Sequence, residues 1–137
     1  MKNAVCTTIG TIGAIAAGWF GGWDNALIAL VTFMAIDYFT GIIVAAVFKK
    51  STKTKNGKLS SKIGYKGLCK KGMILLFVLI GNQLDMVVGS NYIRDAVCIG
   101  FMANELLSIA ENAKLMGVPL PKIIDNAIEL LKNKEEK

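Results

Sequence analysis

Acidic side chains embedded in apolar runs are the groups in this chain whose chemistry most needs an explanation. Asp37 lies at the centre of one such run, Asp85 lies near the end of another, and Glu105 lies in a third. An ionised carboxylate at mid-membrane costs roughly 2.5–3.5 kcal/mol on insertion scales, so it is normally protonated, paired with another helix or hydrated. These residues therefore predict a polar interface or a pore lining.

Small and polar residues accompany these carboxylates at helical spacing. Residues four apart share one face of a helix, so Gly41 falls on the same face as Asp37. A plain interhelical hydrogen bond, usually worth only ~0.6 kcal/mol, is the alternative for Asp37, and hydration at a helix end is the alternative for Asp85. We predict a pore or polar interface formed by Asp37, Gly41, Asp85, Asn104 and Glu105.

The residue types do not favour catalysis. The chain contains no histidine, which removes the commonest general base and metal ligand. Asp37 and Glu105 could formally act as an acid and a base, but the sequence shows no nucleophile with a plausible base, no phosphate loop and no metal-ligand spacing. Three widely spaced cysteines imply no disulfide framework. We expect no enzymatic activity, no cofactor and no metal site.

The composition indicates that these polar groups are positioned by membrane helices. The 137 residues are 53% hydrophobic, yet they include 16 Lys and Arg that are segregated from the apolar runs. A soluble domain of this size cannot bury so much apolar surface, because its surface-to-volume ratio is too high. We therefore predict an all-α, integral membrane fold, with lipid covering the apolar surface.

Four apolar segments are long enough to form helices, at about 4–23, 26–48, 72–89 and 96–110. About 20 apolar residues cross a hydrocarbon core. A secretory signal peptide is the alternative interpretation of the first segment. The fourth is short and contains Glu105, so an interfacial position is its alternative. We predict a bundle of four transmembrane helices, or three if one of these segments does not span.

A lysine-rich loop at 49–71 separates the second and third segments and sets the predicted orientation. An excess of lysine in a short loop marks the cytoplasmic side, which places both termini in the cytoplasm if all four segments span. The same loop can attract anionic headgroups, worth about 1 kcal/mol per basic residue near the surface. The net charge of +6 is thus better explained by a membrane surface than by nucleic acid. The membrane-surface residues are Lys49, Lys50, Lys53, Lys55, Lys58, Lys62, Lys66, Lys70 and Lys71.

The first segment carries small residues every four positions, which allow another helix to approach closely in lipid. That partner is either a neighbouring subunit or another helix of the same chain. The predicted packing residues are Gly10, Gly13, Ala14, Ala17, Gly18, Gly21 and Gly22.

The chain divides into a transmembrane region, 1–114, and a cytoplasmic tail, 115–137. The sequence Gly-Val-Pro-Leu-Pro at 117–121 breaks any helix arriving from the fourth segment. Ile124, Ile128 and Leu131 then recur at helical spacing, which predicts a short amphipathic helix followed by a charged run at 132–137.

Five short motifs stand out along the chain. They are GGWD at 21–24, DYFTG at 37–41, SSKIGYKG at 60–67 followed by KK at 70–71, and NELLSIAEN at 104–112 leading to GVPLP at 117–121. Each motif is weak alone, but in their order and spacing together they resemble the toxin-secretion and phage-lysis holins, small membrane proteins encoded beside endolysins or toxins.

The resemblance implies a holin that oligomerises in the bacterial cytoplasmic membrane. Such proteins form lesions that collapse the membrane potential and release an endolysin or a toxin, without necessary direct contact with that cargo. Members are often described with three spans, one fewer than the four segments here. A small oligomeric ion channel or transporter, and an antiholin-type regulator, remain the alternatives, because mid-membrane carboxylates suit a channel and an antiholin would have nearly the same sequence.

Overall fold

The computed structural model describes residues 1–135, in which all the regular secondary structure is helical, with no strand. The last two residues of the charged run predicted at 132–137 lie outside the described residues. The helices are α1 (Lys2–Trp19), α2 (Asn25–Ile43), which continues as a π-helical segment (Val44–Phe48), α3 (Ser61–Val88), α4 (Ile93–Leu115) and α5 (Lys122–Glu135). The prediction of an all-α fold is confirmed.

Glycines and polar caps set the helix ends. Gly21 and Gly22 follow α1 with φ of 83° and 97°, a left-handed conformation that side-chain-bearing residues rarely adopt. Asp24 then caps α2 by accepting a hydrogen bond from the Leu27 backbone N–H at 3.0 Å. Gly89 ends α3 in the left-handed region, with φ of 78°.

The loop between α2 and α3 is shorter than the sequence predicted. It covers residues 49–60, because the chain from Ser61 onward is already helical. A Cβ on Gly57 would lie 2.3 Å from the Lys49 carbonyl oxygen, so only glycine allows this loop to fold back on itself. We call this segment the lysine loop, and we call the end of the bundle where it lies the lysine-loop end.

Helix α4 is the centre of the bundle and packs against α2, α3 and α5. The core between α2, α3 and α4 is formed by Leu27, Leu30, Met34, Val78, Cys98 and Met102. By contrast, α1 contains no buried residue and, within residues 1–135, α3 is the one helix that it contacts.

Within residues 1–135, two helices are long and apolar enough to cross a membrane. They are Asn25–Phe48, with a mean hydropathy of 2.1, and Ser61–Val88, with 1.6. Large apolar side chains remain exposed on them, including Phe39, Leu76 and Met86, as expected where lipid rather than protein covers a helix. These two helices support a membrane bundle, whereas α1 and α4 are less apolar over a membrane-spanning length.

Candidate polar site within the bundle

A buried ion cluster joins the three central helices. Lys71 of α3 donates from Nζ to Asp37 Oδ2 of α2 at 2.7 Å and to Glu105 Oε2 of α4 at 2.6 Å. Only 13% of the Lys71 side chain is exposed, with 6% of Asp37 and 8% of Glu105. A single ammonium group thus holds together carboxylates from two other helices.

Asn112 extends this cluster along α4. Its Nδ2 donates to Thr40 Oγ1 at 2.9 Å and, at 3.3 Å, to both the backbone oxygen and Oδ1 of Asp37. Gly41 lies beside it, since a Cβ there would be 3.8 Å from Asn112 Nδ2. The amide therefore fixes the orientation of the Asp37 carboxylate that Lys71 contacts.

The cluster carries more negative than positive charge, because two carboxylates share one lysine. Removing one partner of a buried ion pair typically costs 3–5 kcal/mol, since an uncompensated charge stays behind. Lys71 is therefore the residue on which the cohesion of α2, α3 and α4 most depends. Removing the charge of either Asp37 or Glu105 is expected to cost less, because one carboxylate is still left to pair with Lys71.

A cavity of about 280 Å³ extends from this cluster towards the lysine-loop end. Its deep part is lined by Asp37, Glu105 and Lys71, and its outer part is lined by the lysine loop and the start of α3. The cavity therefore connects the ion cluster with the most basic part of the surface.

A second cluster lies at the opposite end of the bundle. Arg94, the one arginine in the sequence, is only 6% exposed and forms ion pairs from Nη1 to Asp24 at 2.8 Å and to Asp95 at 3.1 Å. It also donates to the backbone oxygens of Phe20 and Gly22. This side chain ties the turn between α1 and α2 to the start of α4.

The hydrogen bond from Arg94 lowers the pKa of Asp24 below its ordinary value of 3.8, and the Leu27 backbone N–H adds to that effect, against some desolvation. Asp24 therefore stabilises the fold as a carboxylate, and that contribution is lost as the pH falls through its lowered pKa. Half of the Asp24 side chain is exposed, so solvent screens the pair.

Asp85 belongs to this second region rather than to the buried ion cluster. Its carboxylate accepts hydrogen bonds at 2.9 Å from the backbone N–H groups of Ile93 and Arg94, and one at 2.6 Å from Ser90 Oγ. These N–H groups lie at the start of α4, where they have no partner within the helix. Asp85 thus acts as a cap supplied by the preceding helix.

The remaining predicted residues lie in three settings. Asn104 is exposed on α4, and no other helix of the described chain lies within 4 Å of a Cβ added at Gly10, Gly13 or Gly18. Ala14 is exposed, Ala17 is half-buried, and Gly21 packs against Arg94 in the turn before Gly22. The predicted surface lysines are exposed except Lys71, whose side chain lies in the bundle; the exposed set is Lys49, Lys50, Lys53, Lys55, Lys58, Lys62, Lys66 and Lys70.

Sequence reasoning missed the roles of Lys71, Asn112 and Arg94. The sequence places Lys71 in the loop because it directly follows Lys70, and no local feature distinguishes the two lysines. One signal was available: an arginine isolated beside Asp95 at the start of an apolar segment needs a partner when it is buried. Asn112 gave no such signal.

Comparison with known proteins identifies the family to which this helical chain belongs. Residues 14–133 match the model of the bacteriophage holin family, and the chain belongs to that family. The predicted resemblance to holins is confirmed. The family is not an enzyme family, and membership of it, together with the two apolar helices, indicates the cytoplasmic membrane as the location of the chain.

Individual relatives cover most of the chain. An uncharacterised protein of Listeria monocytogenes is 40% identical over 117 residues, covering 85% of this chain and 78% of the relative. An uncharacterised 14.9 kDa protein of Clostridium perfringens is 36% identical over 135 residues, covering 97% and 96%. A probable holin of Bacillus phage phi105 is 28% identical over 120 residues, covering 87% and 83%. No solved structure matches the chain.

Proposed function

We propose that the chain is a holin that oligomerises in the bacterial cytoplasmic membrane and forms lesions. These lesions collapse the membrane potential and release an endolysin or a toxin from the cytoplasm. Membership of the bacteriophage holin family over residues 14–133 is the observation that carries this proposal, and a relative named as a probable phage holin supports it.

The proposed placement in the membrane starts from α2 and α3. From Lys71 to Val88, α3 rises about 26 Å, close to the ~30 Å thickness of a hydrocarbon core. With Val88 at the outer boundary, Lys71 lies near the inner boundary and the first turns of α3 project into the cytoplasm. The lysine loop is then cytoplasmic, and α1 and α4 act as two further spans, with both termini inside.

Oligomerisation is proposed to use α1. The small-residue face at Gly10, Gly13 and Gly18 has no partner within the described chain, although such faces allow close packing of helices in lipid. Of the two partners considered for this stripe, a neighbouring subunit therefore has more support than a helix of the same chain.

The ion cluster is proposed to hold the protomer closed before the lesion forms. Lys71 joins α2, α3 and α4, so the bundle cannot open without separating it from Asp37 or Glu105. Once separated, these charged groups need water. They would then face the aqueous side of the lesion, with Gly41 beside Asp37 and with Asn104 on α4.

Complementation of a phage tests this function. A lysogen whose phage retains its endolysin but lacks its holin is induced while this chain is expressed from a plasmid. Abrupt lysis at a reproducible time is the expected result. Cells that lose ions gradually without lysis would indicate a small channel, and delayed lysis when the phage's own holin is present would indicate an antiholin.

A further inference from the structure

The cavity at the lysine-loop end has polar groups that the ion cluster does not use. Lys53 from the lysine loop and Lys70 from α3 line it, and the structure gives neither of them a carboxylate partner within the described residues. Thr54, on the same loop, also lines it, and its buried Oγ1 has no hydrogen-bond partner among the described residues. Buried hydroxyl groups are normally hydrogen-bonded, so such an atom indicates a missing partner.

The deep part of the cavity has the opposite character. Asp37 and Glu105 share Lys71, and their surplus negative charge faces a space lined also by Ile42, Ile63 and Ile74. An anionic group is repelled there, whereas a hydroxyl group can donate a hydrogen bond to a carboxylate. The cavity thus favours an anion at its lysine-lined part and hydroxyl donors at its base.

The size and the depth of the cavity limit what can occupy it. A volume of about 280 Å³ lies just below the range of ~300–1,000 Å³ that holds small-molecule ligands, so a headgroup fits and a whole phospholipid does not. In the membrane placement proposed above, the cavity lies at the level of the inner-leaflet headgroups. Basic pockets between helices at this level bind anionic headgroups.

We infer that this cavity binds the headgroup of an anionic phospholipid whose phosphate carries a polyol, such as phosphatidylglycerol. Lys53, Lys70 and the Thr54 hydroxyl contact the phosphate, and the headgroup hydroxyls donate towards Asp37 and Glu105. The acyl chains stay in the inner leaflet. This inference depends on the proposed membrane placement and not on lesion formation.

Native mass spectrometry of the purified full-length chain in detergent tests the inference. Phosphatidylglycerol and phosphatidylcholine with identical acyl chains are titrated separately, and free glycerol 3-phosphate is titrated as a soluble source of the same chemistry. We expect one phosphatidylglycerol per chain, bound in preference to phosphatidylcholine. Equal retention of the two lipids, or equally tight binding of glycerol 3-phosphate, would overturn the lipid site.

Matched lysine variants separate the cavity from general surface attraction. Lys53→Ala with Lys70→Ala is expected to weaken phosphatidylglycerol binding about 30-fold. Lys55→Ala with Lys58→Ala removes the same amount of charge, here from lysine-loop positions outside the cavity, and is expected to leave binding within about threefold. Equal weakening by both pairs would contradict a defined site.

Thr54→Val provides a second variant that keeps the side-chain shape and charge. Loss of one hydrogen bond to the headgroup is expected to weaken binding about fivefold, without changing the helical content. Unchanged affinity in Thr54→Val would show that the Thr54 hydroxyl does not contact the headgroup. The binding assay involves no lysis, so a chain that fails to complement the phage can still pass it.

Discussion

Replacing Lys71 with methionine removes the positive charge on which the buried cluster depends. The substitution keeps a long apolar stem but leaves the carboxylates of Asp37 and Glu105 facing each other, with Asn112 as the remaining donor to Asp37. Because breaking a buried pair leaves an uncompensated charge, we expect a loss of about 3–5 kcal/mol in the free energy of unfolding.

Glu105→Gln tests whether neutralising a carboxylate of the cluster destabilises the fold less than neutralising Lys71. This change removes the surplus negative charge and leaves the pair between Lys71 and Asp37 intact. We expect it to change the stability by less than about 1 kcal/mol, because a balanced pair remains and the amide can still accept a hydrogen bond. A carboxylate and a lysine that share one cluster should therefore respond very differently to neutralisation.

The assay is unfolding of the purified chain by sodium dodecyl sulfate in mixed micelles, followed by circular dichroism. Lys66→Met is the matched control, since Lys66 is an exposed lysine on the same helix. It is expected to stay within about 0.5 kcal/mol of the unmodified chain. If Lys71→Met destabilises no more than Lys66→Met, or if Glu105→Gln is as harmful as Lys71→Met, the buried cluster does not hold the bundle together.

Further predictions concern α1 and the Arg94 cluster. Gly18→Leu should weaken self-association, measured by energy transfer between labelled chains, and leave folding intact because no other helix of the described chain lies within 4 Å of a Cβ at this position; Thr8→Leu, an exposed position on the opposite side of α1, is the control, and equal effects would contradict a defined seam. Asp24→Asn should lower stability at neutral pH and flatten the acid side of the pH–stability profile, because the carboxylate it removes has a lowered pKa; a profile still falling as steeply would exclude Asp24 as the group responsible. Gly21→Ala should destabilise by at least about 1–2 kcal/mol in the same unfolding assay, since φ is 83° and its Cβ would lie 2.8 Å from the Arg94 side chain; a neutral result would refute the packing of this turn.

Much of the fold follows from the sequence because its signals are local. Apolar runs broken by Gly-Gly, by the lysine-rich stretch and by Gly-Val-Pro-Leu-Pro place the turns between helices. The apolar run predicts the start of α3 at residue 72, eleven residues after its true start at Ser61, because lysines near the beginning of a helix do not prevent the helix from forming. Ser60 as a cap marks the true beginning of α3.

The candidate site was only partly predictable. Asp37 and Glu105 were recognised one by one, because a carboxylate in an apolar run is costly wherever it lies. Their common partner depends on how three helices pack, and no spacing within one segment encodes that Lys71 turns inward while Lys70 stays exposed. The role of Asp85 could not be predicted for the same reason. Its carboxylate caps α4 only because the turn after α3 brings the end of α3 next to the start of α4.

Simultaneous recording of membrane potential and release of a folded cytoplasmic reporter enzyme tests the central claim most directly. The chain is expressed in bacteria from an inducible promoter, and both signals are followed in the same culture. A lesion-forming holin predicts a stable potential that collapses abruptly, with the folded enzyme escaping at that moment. A gradual loss of potential while the enzyme stays inside the cells would contradict the formation of large lesions.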